Sequence, residues 1–260
     1  MALSLPSILK RLLKQPTAPF HEYHVRAEIE AILGDIPHVK LKRDKFGNLL
    51  ATYKNGSTRS KPTWVFGAHM DHPAFVQGDD GWQFLGGSFT PEMDAAIKRG
   101  LRKSHGEIAT WKFPVKITNS RIEAPACDDL IGCAIIVMTL LELARLDIKT
   151  TVHAAFTRAE EVGWLGAWHL AQNWPFGKDS VFVSIETSRP VNGAVMGGGP
   201  TALWSAPTGA ALLSQSPPGK RYAAEYYAQN VLPGVMDKAD ILGREDRSAL
   251  GIPDAAFAQV

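Results

Sequence analysis

The chain has 260 residues, 45% hydrophobic and 21% charged, with 28 basic against 26 acidic side chains for a net charge of +2. That balance fits one large globular domain with room for a small insertion, and the lack of a basic tail or stripe argues against a nucleic-acid partner. The two cysteines, Cys127 and Cys133, do not form a CxxC pair, and a chain of this size needs no disulfide scaffold; reduced thiols and a cytoplasmic setting are expected.

In chain order, MALSLPSILKRLLKQP is too interrupted by Lys10, Arg11 and Lys14 for a signal peptide, while Leu5, Ile8, Leu9 and Leu12 mark an amphipathic helix. A second helix is expected over EYHVRAEIEAILGDI, then two strands in VKLKRDKFGNLLATYKN with a turn at Gly47-Asn48. KPTWVFGAHMDH reads as a buried strand ending in polar residues. From 73 to 123 the pattern changes to Gly-rich and aromatic short alternating runs, which predicts a small inserted β subdomain between a first part, 1–72, and a second part, 124–260, of the main domain. DLIGCAIIVMTLLELARL is expected to be a largely buried helix. Its apolar stretch is broken by Glu142 and too short to span a bilayer, so no membrane partner is expected. TTVHAAFT, GWLGAWHLAQNW and DSVFVSIET read as strand, helix and strand. KRYAAEYYAQNVL predicts a further helix, and GIPDAAFAQV the start of a last strand. Strands alternating with helices imply an α/β fold with helices on both faces of the sheet.

Four polar clusters sit at strand ends or at a helix start: His69 and Asp71 in AHMD, Asp128 and Asp129 in CDD, Glu160 and Glu161 in AEE, and Glu186 in IET. Sites in open α/β sheets assemble at the carboxyl ends of strands, so the four clusters are expected to converge in one crevice. One imidazole with several carboxylates suits zinc, cobalt or manganese. So many carboxylates exceed the needs of one ion and suit two, about 3.5–4 Å apart. Each cluster also has a plainer reading. His69 alone would be a hydrogen-bonded structural histidine, the aspartate pair a helix cap, the glutamate pair a solvated turn, and Glu186 a strand end facing water. His72 is read as a neighbour of the site and not as a ligand.

The motifs GAHMDHPAFV, APACDDLIGCA, TRAEEVGWLGA and VSIETS, in this order, resemble those of the co-catalytic metallo-aminopeptidases of the tetrahedral (TET), glutamyl and deblocking family, with a more distant similarity to bacterial leucyl aminopeptidases. The resemblance runs from the first helix to about residue 200. It implies a mixed β-sheet sandwiched by helices, of the phosphorylase/hydrolase-like, zinc-peptidase type, with 73–123 as an oligomerisation or lid subdomain. It also implies peptide substrates, a homo-oligomer and two divalent ions (Zn, Co or Mn) activating a water. His69 and Glu186 would bind one metal, Glu161 the other, and Asp128 would bridge them, with a cis peptide to Asp129. Glu160 would be the general base, and Asp71 would accept the other imidazole N–H of His69. VMGGGP would form a wall of the substrate pocket.

Relatives take a last ligand from a C-terminal histidine, whereas the final histidine here is His169. Three explanations stand: a chain ending short of that residue, a replacement ligand among residues such as Asp237, Asp240 and Asp246, or a protein without activity. The last gives the alternative of a catalytically incomplete binding or assembly subunit. A further alternative keeps the metals and acts on N-acyl amino acids.

Overall fold

The computed structural model describes residues 3–56, 63–86, 89–118, 121–177 and 180–187. The expected helix at 220–232, the last strand at 251–260, VMGGGP and the three late aspartates lie outside the described residues.

Two N-terminal helices come first: α1 (Leu5–Leu12), opened by a proline in its first turn, and α2 (Tyr23–Leu33). The central sheet has five strands in the order β1 (Val39–Arg43), β2 (Leu49–Lys54), β10 (Thr151–Thr157), β3 (Thr63–His69) and β11 (Ser180–Ser184). β1, β2 and β10 pair antiparallel, whereas β10, β3 and β11 run parallel. Period-two alternation divides their side chains between the faces. Leu49, Ala51, Tyr53, Ala154 and Phe156 join the cluster formed with α1, α2 and α4 (Cys127–Arg145). Leu50 and Ala155 face the other way, onto Leu170 of α5 (Leu165–Gln172). The fold is therefore mixed α/β with helices on both faces, as the alternating pattern predicts.

Between β3 and α4 the chain builds separate sheets. β4 (Ala74–Gly78), β5 (Gly81–Leu85), β6 (Arg102–His105) and β7 (Ile108–Trp111) form a four-stranded sheet in the order β5-β4-β7-β6, and β8 (Lys116–Ile117) pairs with β9 (Ile122–Glu123). Among the short β runs lies a helix, α3 (Pro91–Lys98). Thr90 accepts the Met93 N–H at 3.3 Å, Pro91 opens the helix, and Glu92 and Asp94 complement its N-terminal dipole.

α4 buries eight residues, from Asp129 to Leu140, because it packs on β3 on one side and α1 on another. No helix among the described residues is long and apolar enough to cross a membrane.

Candidate metal centre

The parallel register sets the site. His69 ends β3 opposite Thr157, the last residue of β10, and Ser184 of β11 pairs with Gly67. The three strands thus finish on one edge, from which His69, the 158–161 segment and Glu186 all project, as the sequence clusters predict.

His69 is 3% exposed. Its Nδ1 faces the Asp71 backbone oxygen at 3.1 Å and the Asp71 carboxylate at 3.5 Å, which leaves Nε2 directed at the other acids. Asp128 Oδ1 lies 3.3 Å from Nε2, Glu186 Oε1 3.5 Å and Glu160 Oε2 3.8 Å. Among the described residues, two groups have ligand atoms close enough together to hold an ion, His69 with Glu160 and Glu161, and His69 with Asp128 and Glu186. Asp128, Glu160, Glu161 and Glu186 therefore gather with one imidazole; Asp129 is in neither group, and the Asp71 carboxylate, on the Nδ1 side of the ring, has another employment. It accepts the Glu160 N–H with one oxygen and the Glu161 N–H with the other, each at 3.0 Å.

Asp128 and Asp129 are joined by a cis peptide and both have non-helical backbone angles, so regular helix begins after them. The capping reading holds for the second aspartate: Asp129 Oδ1 accepts the Gly132 N–H at 3.1 Å. His72 also stands at the site. Its Nδ1 bonds the Asp128 carbonyl at 2.8 Å and is 3.9 Å from Glu161 Oε1. Cys133, buried, donates its thiol to the His69 carbonyl and fastens α4 to the end of β3.

The electrostatics describe an uncompensated negative cluster. Burial pushes the His69 imidazole down, but hydrogen bonds from Asp128, Asp71 and Glu186 outweigh it and hold the ring well above its ordinary value. Burial raises Asp129 to about 8 and Glu160 to about 7, against the pull of His69 in each case. Glu161 is raised to about 8 by burial and then by Glu160 beside it. Asp129 Oδ2 is buried with no hydrogen-bond partner among the described residues. Hard oxygen donors around one imidazole, with charge that protein groups do not balance, are a donor set that fits divalent zinc, cobalt or manganese.

Comparison with known proteins bears on the same region. Residues 93–201 match the M42 glutamyl aminopeptidase family. The resemblance to aminopeptidases drawn from the four motifs is borne out by that match, which contains Asp128, Glu160, Glu161 and Glu186 and begins after His69 and Asp71. No curated protein sequence matches. Solved structures with the same fold include PhTET1-12s, a dodecamer in the asymmetric unit, at 20% identity and TM-score 0.55 over 75% of this chain and 72% of that one. The TET1 peptidase of Pyrococcus horikoshii, which can assemble into a tetrahedron or a large octahedral shell, aligns at 19% identity and TM-score 0.53 over 74% and 72%. Aminopeptidase APDkam598 of Desulfurococcus kamchatkensis aligns at 20% identity and TM-score 0.53 over 75% and 66%.

Sequence reading passed over three residues that build this site: Glu22, Asn48 and Arg158. Glu22 stands at an expected helix start and Asn48 in an expected turn, and no pattern in the sequence marks Arg158. A cavity of about 490 Å³ between the end of α1, β6 and β7 touches the site through His72 and contains none of the acids.

Proposed function

We propose that the chain is a metal-dependent aminopeptidase that removes N-terminal residues from peptides with a pair of divalent ions. The observation that carries the reading is the convergence of Asp128, Glu160 and Glu186 within 3.8 Å of Nε2 of one buried imidazole. The family match over 93–201 supports a hydrolase of the aminopeptidase type.

In this reading His69 and Glu186 would hold one ion, Glu161 the other, and Asp128 would serve both. When bound, such a pair polarises a peptide carbonyl and acidifies water. Glu160 is the general base: it takes the proton of the attacking water and returns it to the leaving amine. Asp71 sets the direction of Glu160 and Glu161 by holding both of their N–H groups, and turns the His69 ring through Nδ1. A free substrate α-amine would bind one ion or a nearby carboxylate, which selects unblocked N-termini.

The same proposal assigns 1–72 and 124–260 to the catalytic domain and 73–123 to a subdomain for subunit contact and cover. Phe89 and Phe113 in that stretch are 47% and 53% exposed, apolar surface suited to contact in a homo-oligomer. A cytoplasmic setting goes with it, supported by two free cysteines.

The test is to load the protein with zinc or cobalt, remove the excess, and measure ions per chain and hydrolysis of paired peptides with free and acetylated amino termini. Two ions and cleavage of the free peptides alone are expected. Cleavage of the acetylated set would move the reading to an N-acyl amidohydrolase. No ion and no cleavage would leave a binding or assembly subunit and overturn the proposal.

A further inference from the structure

Four consecutive backbone N–H groups, those of Arg158, Ala159, Glu160 and Glu161, donate to side chains and not to a helix or strand ladder. Arg158 N–H goes to Asn48 Oδ1 at 3.0 Å, Ala159 N–H to Glu22 Oε1 at 3.0 Å, and the next two to Asp71, also at 3.0 Å. Buried backbone donors need such partners, and a segment with Ala159 at φ +53 cannot find them in regular structure. The backbone beneath the two glutamates is thus fixed from outside, by one residue from the β1–β2 turn, one from the segment after β3 and one from the start of α2.

Glu22 is the most distant of the three, 137 residues from Ala159, and it is fully buried. It stands at the N-cap of α2 but makes no capping bond with its side chain. Its carboxylate instead accepts the Ala159 and Phe20 N–H groups on Oε1 and the Arg158 Nε–H on Oε2 at 2.6 Å. The remaining Arg158 donors go to the carbonyls of Phe46 at 2.8 Å and Phe20 at 2.5 Å, and the guanidinium lies 5.8 Å from the centre of the Phe46 ring. The one cation adjoining the glutamate pair in sequence is therefore held by Glu22, Phe46 and Phe20 through Nε and both terminal nitrogens.

A purely structural ion pair explains little of this, because a buried pair stabilises a fold no better than apolar residues of the same volume. An apolar pair would leave Ala159 N–H without an acceptor, and a lone arginine would put a cation beside a site built for another. From this arrangement we infer that Glu22 is a positioning residue for Glu160 and Glu161: it holds the backbone that aims them and keeps Arg158 away from them. Its catalytic meaning rests on the aminopeptidase reading; its effect on the segment does not.

The experiment compares native full-length protein with Glu22→Gln and with the double variant Glu22→Leu/Arg158→Met, which exchanges the ion pair for an apolar one. Amide hydrogen exchange is followed in metal-free protein over peptides covering 157–164, with β3 as an internal reference. Zinc affinity and peptide kinetics are measured alongside. Exchange over 157–164 at least tenfold faster in both variants, with β3 unchanged, is expected. Zinc affinity should fall about tenfold or more, and kcat should fall with KM held within about threefold. Should Glu22→Gln not fold, the double variant carries the same comparison. Native protection over 157–164 in a folded variant overturns the inference, as does native zinc affinity and kcat in the double variant. If native protein neither binds zinc nor cleaves peptides, the aminopeptidase reading falls, and the exchange data still decide whether Glu22 holds the segment.

Discussion

Glu186 Oε1 lies 3.5 Å from His69 Nε2, although His69 ends β3 and Glu186 stands two residues past β11, 117 positions away. They meet because β11 pairs with β3 in a register that sets Ser184 against Gly67 and finishes both strands on the same edge. Anything that moves β11 against β3 therefore acts on the centre itself, and the neighbouring side chains give the means to test this.

Gly67 provides the sharpest case. A Cβ built on it would lie 2.1 Å from Phe182 Cζ. The ring cannot simply swing away, since Phe182 packs against Trp174 and alongside Leu50 and Leu170. Gly67→Ala is expected to destabilise the fold by about 1–3 kcal/mol through overpacking and to lower metal affinity with it. Urea denaturation of Gly67→Ala and of Gly67→Ala/Phe182→Leu checks this: the second substitution should restore part of the loss.

Glu160→Gln separates base from ligand. If Glu160 serves as the proposed general base, its loss is expected to lower kcat by about 10²–10⁴-fold, with ions per chain unchanged. Glu161→Gln is expected to lose an ion as well as activity. Elemental analysis beside steady-state kinetics distinguishes them, and full turnover by Glu160→Gln would remove it from the mechanism.

Asp71→Asn keeps the side chain's shape but presents an amide NH₂ to one of the two N–H groups that the carboxylate accepts. One buried donor then lacks an acceptor, at a cost of about 1–3 kcal/mol. Metal affinity is expected to fall about 10–100-fold, the usual effect of losing a partner that orients ligands. Calorimetric titration with zinc gives the affinity, and a thermal melt gives the stability.

Stability of the metal-free chain has a defined pH dependence. Asp129, Glu160 and Glu161 are raised from 3.8, 4.5 and 4.5 to about 8, 7 and 8 by burial. Between the ordinary carboxylate range and those values, the folded chain holds protons that the unfolded chain has released. Unfolding then releases protons, and rising pH favours it. His69, held high by Asp128, Asp71 and Glu186 against its burial, acts in the same direction. Asp128 is lowered by its hydrogen bonds to His69 and Glu186 despite its burial, and opposes this only near and below 3.8. Burial lowers His72, His105 and His153, which opposes this below about 6.5, so the Tm of metal-free protein is expected to fall from about pH 6.5 to about pH 8. Metal takes the deprotonated carboxylates, so the rise in Tm on adding zinc should grow over the same interval. A metal-free Tm that climbs over this range would contradict the cluster's electrostatics.

The fold was legible wherever one period dominated. The β-prone runs LLATYK and TVHAAFT, and the long apolar run of α4, mark strands and helix near their observed limits. α3 was hidden because eight residues with none buried carry no core-facing stripe, although TPEMD holds a good capping sequence. Around the candidate centre, the acids could be read because each sits at the end of an element that itself has a clear pattern. Glu22 and Asn48 could not be, since their partners are backbone N–H groups more than a hundred residues away, at 3.0 Å in each case. Neither residue type nor local spacing records a bond to a distant main chain. Gly166 shows the same limit: a Cβ there would meet the Arg158 carbonyl and Asn48 Oδ1 at 2.4 Å, a demand made by distant chain and invisible in WLGAW.

The chain leaves the central sheet at His69 and reaches Asp128, in the first turn of α4, 59 residues later, after building two smaller sheets on the way. His72 bonding the Asp128 carbonyl at 2.8 Å already draws the two ends of that excursion together. An ion gripped by both His69 and Asp128 would act as a crosslink across a closed loop, removing freedom from every unfolded form in which the loop is open. Zinc should therefore protect residues 73–123 from proteolysis although none of them is a ligand, and a chelator should expose them. The β excursion would then report occupancy of the centre to any surface it meets.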